Sequence, residues 1–182
     1  MRIGIYGGTF NPIHQGHLTA ARAAMDALGL DRLLLIPASV PPHKALPQGS
    51  ADAADRLEMA ALACAQLGPK AQALDTELRR TGPSYTVDTL TELRMEHPED
   101  ELWLLMGTDM FLSLERWYHA SDILSLAHIG AFDRAHPQPG EDLAAQKRLL
   151  ETKYGATVAI IANRQVLSLI HISEPTRRSY IS

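Results

Sequence analysis

The chain has 182 residues, of which 46% are hydrophobic and 21% charged, with a formal net charge of −4 and a single cysteine. That length suits one α/β domain with a well-buried core, and the acidic balance excludes a dedicated nucleic-acid binder, whose footprint would be a basic stripe. One cysteine excludes an internal disulfide and predicts a reducing cytoplasmic setting, while the lack of a signal peptide or bilayer-length apolar run predicts no membrane partner.

Apolar, strand-like runs alternate with helical spacing along the chain. Strands are predicted over residues 2–6, 33–37, 102–106, 128–132 and 157–162, with a weaker one at 71–74. Helices are predicted over 16–29, 52–67, 86–96 and 141–154, with a broken pair around 110–126. Cys64 falls in an Ala/Leu-rich helical stretch and reads as a small hydrophobe. Arg56, in the same stretch, reads as a salt-bridged surface residue. Continuous apolar strands separated by helices predict a Rossmann-like, doubly wound parallel sheet with helices on both faces. In such sheets ligands gather at the carboxyl ends of the strands. That places candidate site segments at residues 7–17, 38–44, 107–109 and 133–134.

The first of these segments, Gly7-Gly8-Thr9-Phe10-Asn11-Pro12-Ile13-His14-Gln15-Gly16-His17, is the most informative. The two glycines suit a tight turn with close backbone approach to a ligand, and His17 falls in the first turn of the following helix. Unpaired amides and the helix dipole make such a corner an anion site, and two imidazoles add donors there. No Gly-Lys-Ser/Thr follows and the G-x-G-x-x-G order is missing, which argues against a Walker A loop and a dinucleotide fingerprint. His14 and His17 lack the further Cys or Glu partners a zinc site needs, so no protein metal site is predicted.

Four motifs together resemble the bacterial nicotinate-nucleotide adenylyltransferases, within the nucleotidyltransferase superfamily that carries an H-x-G-H signature. They are residues 7–17, then Pro41-Pro42-His43-Lys44, then Gly82-Pro83-Ser84-Tyr85-Thr86-Val87-Asp88-Thr89-Leu90, then Met106-Gly107-Thr108-Asp109 with Arg116-Trp117-Tyr118. Asn11 stands where relatives often carry Asp, and it keeps the turn-forming role. The resemblance implies transfer of the adenylyl group of ATP to nicotinate mononucleotide, giving deamido-NAD and pyrophosphate, with Mg²⁺ accompanying ATP. The nucleophile is then an anionic phosphate oxygen, so no general base is needed, and the remaining work is alignment and charge neutralisation.

On that resemblance His14, His17 and Lys44 are the catalytic residues. ATP is expected to meet Gly7, Gly8, Thr9, Phe10, His14, Gly16, His17, Gly107, Asp109 and Arg134. The mononucleotide is expected to meet His43, Lys44, Tyr85, Thr86, Asp109, Trp117 and Tyr118. Trp117 would stack on the cationic pyridine ring, and backbone donors near Tyr85, Thr86 and Tyr118 would receive the nicotinate carboxylate. Bland readings stand beside these: Trp117 and Tyr118 as core aromatics, Asp109 as a helix cap, Arg134 and Lys44 as loop charges. The implied partners are ATP and nicotinate mononucleotide, with neither nucleic acid nor membrane, and a homo-oligomer is compatible with them.

The resemblance covers residues 1–167, read as the nucleotidyltransferase domain, and fails over 168–182. There the family's Ile-Ser-Ser-Thr-x-Ile/Leu-Arg motif is expected, but Glu174 and Pro175 interrupt it. A Glu at a phosphate-facing helix start repels the ligand and a Pro removes an amide donor. The tail therefore reads as truncated or replaced and predicts weak turnover. The alternative readings are a pantetheine-phosphate adenylyltransferase or related nucleotidyltransferase, and a non-catalytic nucleotide-binding module.

Overall fold

Six parallel strands form one sheet in the computed structural model, which describes residues 1–39, 46–134 and 139–162. In chain order the elements are β1 (Arg2–Gly8), α1 (Gln15–Leu28), β2 (Arg32–Pro37), α2 (Ala53–Leu67), β3 (Ala71–Ala73) and α3 (Thr86–Glu96). They continue with β4 (Glu101–Met106), α4 (Thr108–Ser113), a 3₁₀ turn (Leu114–Arg116), α5 (Ala120–Leu126), β5 (His128–Asp133), α6 (Leu143–Tyr154) and β6 (Val158–Ala162). The strand order is β3-β2-β1-β4-β5-β6. Winding reverses between β1 and β4, where Ile5 lies opposite Leu34 on one side and Leu104 on the other. A crevice therefore opens between the carboxyl ends of those two strands.

The strands are apolar on both faces because both faces are covered. On one face Leu18, Ala21 and Ala24 of α1 and Ala60, Ala63 and Cys64 of α2 pack on Leu33, Leu35 and Leu105. On the other, Leu90 and Leu93 of α3, Phe111, Ile123 and Leu150 pack on Ile3, Ile5, Leu34 and Ile129. Cys64 is buried as expected, and burial pushes its thiol pKa up to about 11. Gly4 allows the close approach on the α1 face, since a Cβ there would lie 2.5 Å from Leu30 Cδ1.

The helices start and stop on local chemistry. Asp52 accepts the Asp55 amide at 2.8 Å and Asp142 accepts the Ala145 amide at 2.8 Å, capping α2 and α6. Gly29 and Gly155 end α1 and α6 in the left-handed region, at φ of 58° and 66°. Among the described residues, no helix is long and apolar enough to cross a membrane.

Two expectations need correction. Strand β1 runs on through Gly7 and Gly8, which pair with Ile36 and Pro37, so the glycines end a strand instead of making the turn. The left-handed residue is Phe10, at φ 49°. The glycines serve space: a Cβ on Gly8 would press the Phe10 ring at 3.2 Å, while one on Gly7 would meet only Ile36 O at 3.8 Å. Arg56 is not a surface residue; it is 1% exposed on the buried stripe of α2.

Candidate active site

The β1–α1 corner is built by the two histidines themselves. His14 is the N-cap of α1, and its Nδ1 accepts the Gly16 amide at 3.0 Å. The His14 amide in turn donates to His17 Nδ1 at 3.1 Å, so the pair closes a reciprocal capping box with imidazoles in place of the usual hydroxyl and carboxylate. With both Nδ1 atoms accepting, each neutral ring carries its hydrogen on Nε2, and that tautomer is assigned by the hydrogen-bond network. The rings lie 3.9 Å apart, centroid to centroid. Gly16 is what lets them do so, because a Cβ there would sit 2.8 Å from His14 Cε1.

His17 packs against Phe10 and Tyr6, with ring centroids at 5.3 and 6.2 Å. Burial lowers its pKa to about 4, and the neighbouring His14 adds to the effect. His17 is thus a neutral donor at pH 7. Burial also pushes the Tyr6 hydroxyl up to about 12.

Beside this corner, at the switch between β1 and β4, lies a cavity of about 400 Å³, within the range of small-molecule sites. Its walls include Gly7, Gly8, Thr9 and Gly107, expected to meet ATP, and Tyr85, Thr86, Trp117 and Tyr118, expected to meet the mononucleotide. The Tyr85 and Tyr118 rings stack at 4.4 Å, and Trp117 Nε1 donates to Ser113 Oγ at 3.3 Å. Tyr85 is the N-cap of α3 and makes no side-chain cap bond. The first amides of α3 are therefore donors without intrahelical acceptors, facing the end of the helix that favours negative charge.

The candidate residues divide into two groups. Tyr85, Thr86, Trp117 and Tyr118 line the cavity; His14, Gly16, His17, Asp109 and Arg134 do not. Residues 7–9 and Tyr6 join the two, since they line the cavity and Tyr6 also touches His17. Asp109 sits in the first turn of α4, whose N-cap is Gly107. It is 75% exposed in its side chain and pairs with Arg134 at 2.6 Å, while Arg134 also reaches Glu141 at 3.4 Å. The start of α4 is held to the end of β5 by Thr108 Oγ1, which donates to Phe132 O at 2.8 Å. His43 and Lys44 lie outside the described residues, as does the tail from residue 163.

Two buried polar groups at the site escaped the sequence reading. Glu77, 7% exposed, lines the cavity and accepts from Thr89 Oγ1 at 2.8 Å. Burial raises its pKa, opposed by Thr89, Arg80 and Ser84. Ser84 in turn accepts the Ser39 amide at 3.1 Å, tying the end of β2 to the start of α3. Arg56 was the second. The signal for it existed: Arg56, Ala60, Ala63 and Cys64 share one helical face, so the charge sits on an apolar stripe. Glu77 had no such signal, because its segment has neither helical nor strand period.

Residues 5–178 match the cytidylyltransferase-like family. A protein of Shewanella baltica (strain OS223) named "Probable nicotinate-nucleotide adenylyltransferase" is 46% identical over 144 residues, covering 75% of this chain and 65% of its own length. One of the same name from Shewanella putrefaciens is 41% identical over 160 residues, covering 88% and 71%. The chain thus spans 65% of the length of the Shewanella baltica relative. Among solved structures, the nicotinic acid mononucleotide adenylyltransferase of Plasmodium falciparum complexed with APC superposes with a TM-score of 0.69 at 16% identity, covering 88% of this chain and 74% of that one. Its complex with NaAD gives 0.67 at 15% identity. Those two likenesses establish the fold.

Proposed function

The chain belongs to the cytidylyltransferase-like family and, within it, to the nicotinate-nucleotide adenylyltransferases; from that premise we propose that it joins nicotinate mononucleotide to ATP, giving deamido-NAD and pyrophosphate. A phosphate oxygen of the mononucleotide attacks the α-phosphorus of ATP, and the bond to the β-phosphate oxygen breaks as pyrophosphate leaves. The attacking oxygen is already anionic, so the protein needs donors more than bases. The observation that carries this reading is the junction at residues 7–9, which joins an aromatic cavity to a corner where two imidazoles, their Nδ1 atoms taken by the His14 and Gly16 amides, keep Nε2 as donors.

On this reading the phosphates of ATP take the corner. His14 and His17 offer Nε2 hydrogens, and the neutral state of His17 suits donation without proton transfer. Gly7 contributes open space for a phosphate to approach the backbone. The pyridine ring of the mononucleotide takes the cavity, against Trp117 and beneath the Tyr85–Tyr118 stack. Its carboxylate lies at the start of α3, where the amides of Thr86 and Val87 favour a charged acceptor over a neutral amide. Asp109 and Arg134, which pair with each other, would meet ATP, and Lys44 and His43 would complete the charge at the reacting phosphates.

Magnesium fits this arrangement as part of the nucleotide. Its shell would be mostly phosphate oxygens and water. When bound it screens the charge of the departing pyrophosphate. The buried single cysteine suits a reducing cytoplasm.

The test is pyrophosphate release from ATP with a panel of acceptors: nicotinate mononucleotide, nicotinamide mononucleotide and phosphopantetheine. Turnover is expected with the first, with at least about tenfold preference over the second. Preference for phosphopantetheine would replace the assignment with a sister enzyme. Nucleotide binding without pyrophosphate would make the chain a binding module.

A further inference from the structure

Arg56 is the one guanidinium in the described structure buried to 1% exposure, and its donors reach three backbone carbonyls from three different segments. Nη1 bridges Thr9 O at 2.9 Å and Ala38 O at 2.6 Å, and Nε reaches Ala51 O at 3.3 Å. Thr9 follows the end of β1, Ala38 follows the end of β2, and Ala51 precedes α2. The paired register of β1 with β2 ends at Gly8 and Pro37, and the Ala38 amide adds one more bond to Gly8 O at 2.9 Å. Arg56 clamps the two strand ends one residue further on, where the sheet no longer holds them.

The same corner is tied a second time through Asn11, whose Nδ2 donates to Ser50 Oγ at 2.8 Å and whose Oδ1 accepts the Ala51 amide at 3.2 Å. Between the two ties stands Phe10, a bulky residue held in the left-handed region. Such a conformation persists only where its surroundings over-determine it. A hydrophobic side chain at position 56 could fill the same space and would cost little in packing, but it would leave the buried Ala38 carbonyl and the part-buried Thr9 and Ala51 carbonyls without their shared donor.

We propose that Arg56 is a positioning residue for phosphoryl-group alignment, fixing the backbone of residues 7–10 against the end of β2 so that its amides and the adjoining His14–His17 pair face the nucleotide in one arrangement. It touches no reacting atom in this account; it acts through Thr9 and Ala38. The inference deepens the adenylyl-transfer reading and rests on it for its catalytic consequence, but its structural half stands alone.

The test compares the parent chain with Arg56→Lys and Arg56→Met. Lysine keeps the charge but offers one nitrogen, so it cannot serve both the Nη1 position between Thr9 O and Ala38 O and the Nε position at Ala51 O. Amide hydrogen exchange is measured below the unfolding midpoint of each variant, and steady-state turnover is measured with ATP and nicotinate mononucleotide. The expected result for Arg56→Lys is faster exchange, by about tenfold or more, confined to residues 7–10 and 38–39, with β4 and β5 protected as in the parent. With it, kcat falls about 10- to 100-fold while KM for the mononucleotide stays within about threefold, the pattern of lost alignment. Parent-like exchange and turnover in both variants overturn the proposal. A uniform loss of protection across the sheet overturns it too, because Arg56 would then support only the fold. A parent chain that makes no pyrophosphate counts against the adenylyl-transfer reading, and the local exchange pattern still decides the role of Arg56.

Discussion

At the scale of single residues, the imidazole capping box ties helix formation to chemistry. Each ring uses Nδ1 to finish the start of α1 and is left with Nε2 as a directed donor. Asparagine at position 17 tests this division, because its side-chain oxygen reproduces the Nδ1 acceptor and nothing replaces Nε2. His17→Asn is expected to keep the fold and lose turnover on the order of a hundredfold, as for removal of one preorganised donor. The same variant isolates a pH effect. The folded pKa of His17, about 4, lies below the free imidazole value of about 6.5, so on acidification the unfolded chain takes up the proton first. Stability from this group is complete above about pH 6.5 and is lost as the pH falls toward 4. Urea unfolding across that window should show a shallower slope in His17→Asn than in the parent. Gly16→Ala is expected to displace the His14 ring, given the 2.8 Å approach to Cε1. Turnover should fall by about tenfold while the melting temperature changes little, because gained helix propensity offsets the weakened cap.

At the scale of elements, the start of α3 invites a substitution that removes one hydrogen atom's worth of function. Proline is at home in the first position of a helix, and Tyr85 before it already has the extended backbone that proline demands, at φ −83° and ψ 132°. Thr86→Pro should therefore fold, as should a Thr86→Ser control, yet lose the amide proposed to meet the nicotinate carboxylate. The ratio of kcat/KM for nicotinate over nicotinamide mononucleotide should drop about tenfold, corresponding to roughly 1.4 kcal/mol, near the lower end for a hydrogen bond to a charged group. An unchanged ratio would remove α3 from the recognition of the acid. On the opposite face, Gly4→Ala forces a methyl into Leu30, Leu33 and Leu105, all closely packed. Overpacking of this kind costs about 1–3 kcal/mol and should lower the melting temperature by roughly 2–12 °C.

At the scale of the whole molecule, alternation of apolar runs with helical spacing was enough to read a doubly wound sheet, because a chain buried on both faces of every strand has few other ways to fold. The motifs likewise brought Tyr85, Thr86, Trp117 and Tyr118 to one cavity and His14 and His17 to one helix start. What stayed hidden was long-range. Arg56 reaches Thr9 across 47 positions and Glu77 reaches Thr89 from an aperiodic segment, and no local pattern records which carbonyl or hydroxyl a side chain will meet. The turn at Phe10 was hidden for a different reason: glycine is the ordinary left-handed residue, and here a phenylalanine takes the strain while the glycines leave room.

All of this converges on residues 7–9 as the seam between a phosphate corner and a pyridine cavity. The most direct measurement is a ¹H–¹⁵N correlation titration of the protein with deamido-NAD. The account predicts that the amides of Gly7, Gly8, Gly16 and Thr86 and the Trp117 indole shift together along one binding curve. Shifts confined to either group alone, with the other unmoved at saturation, would contradict it.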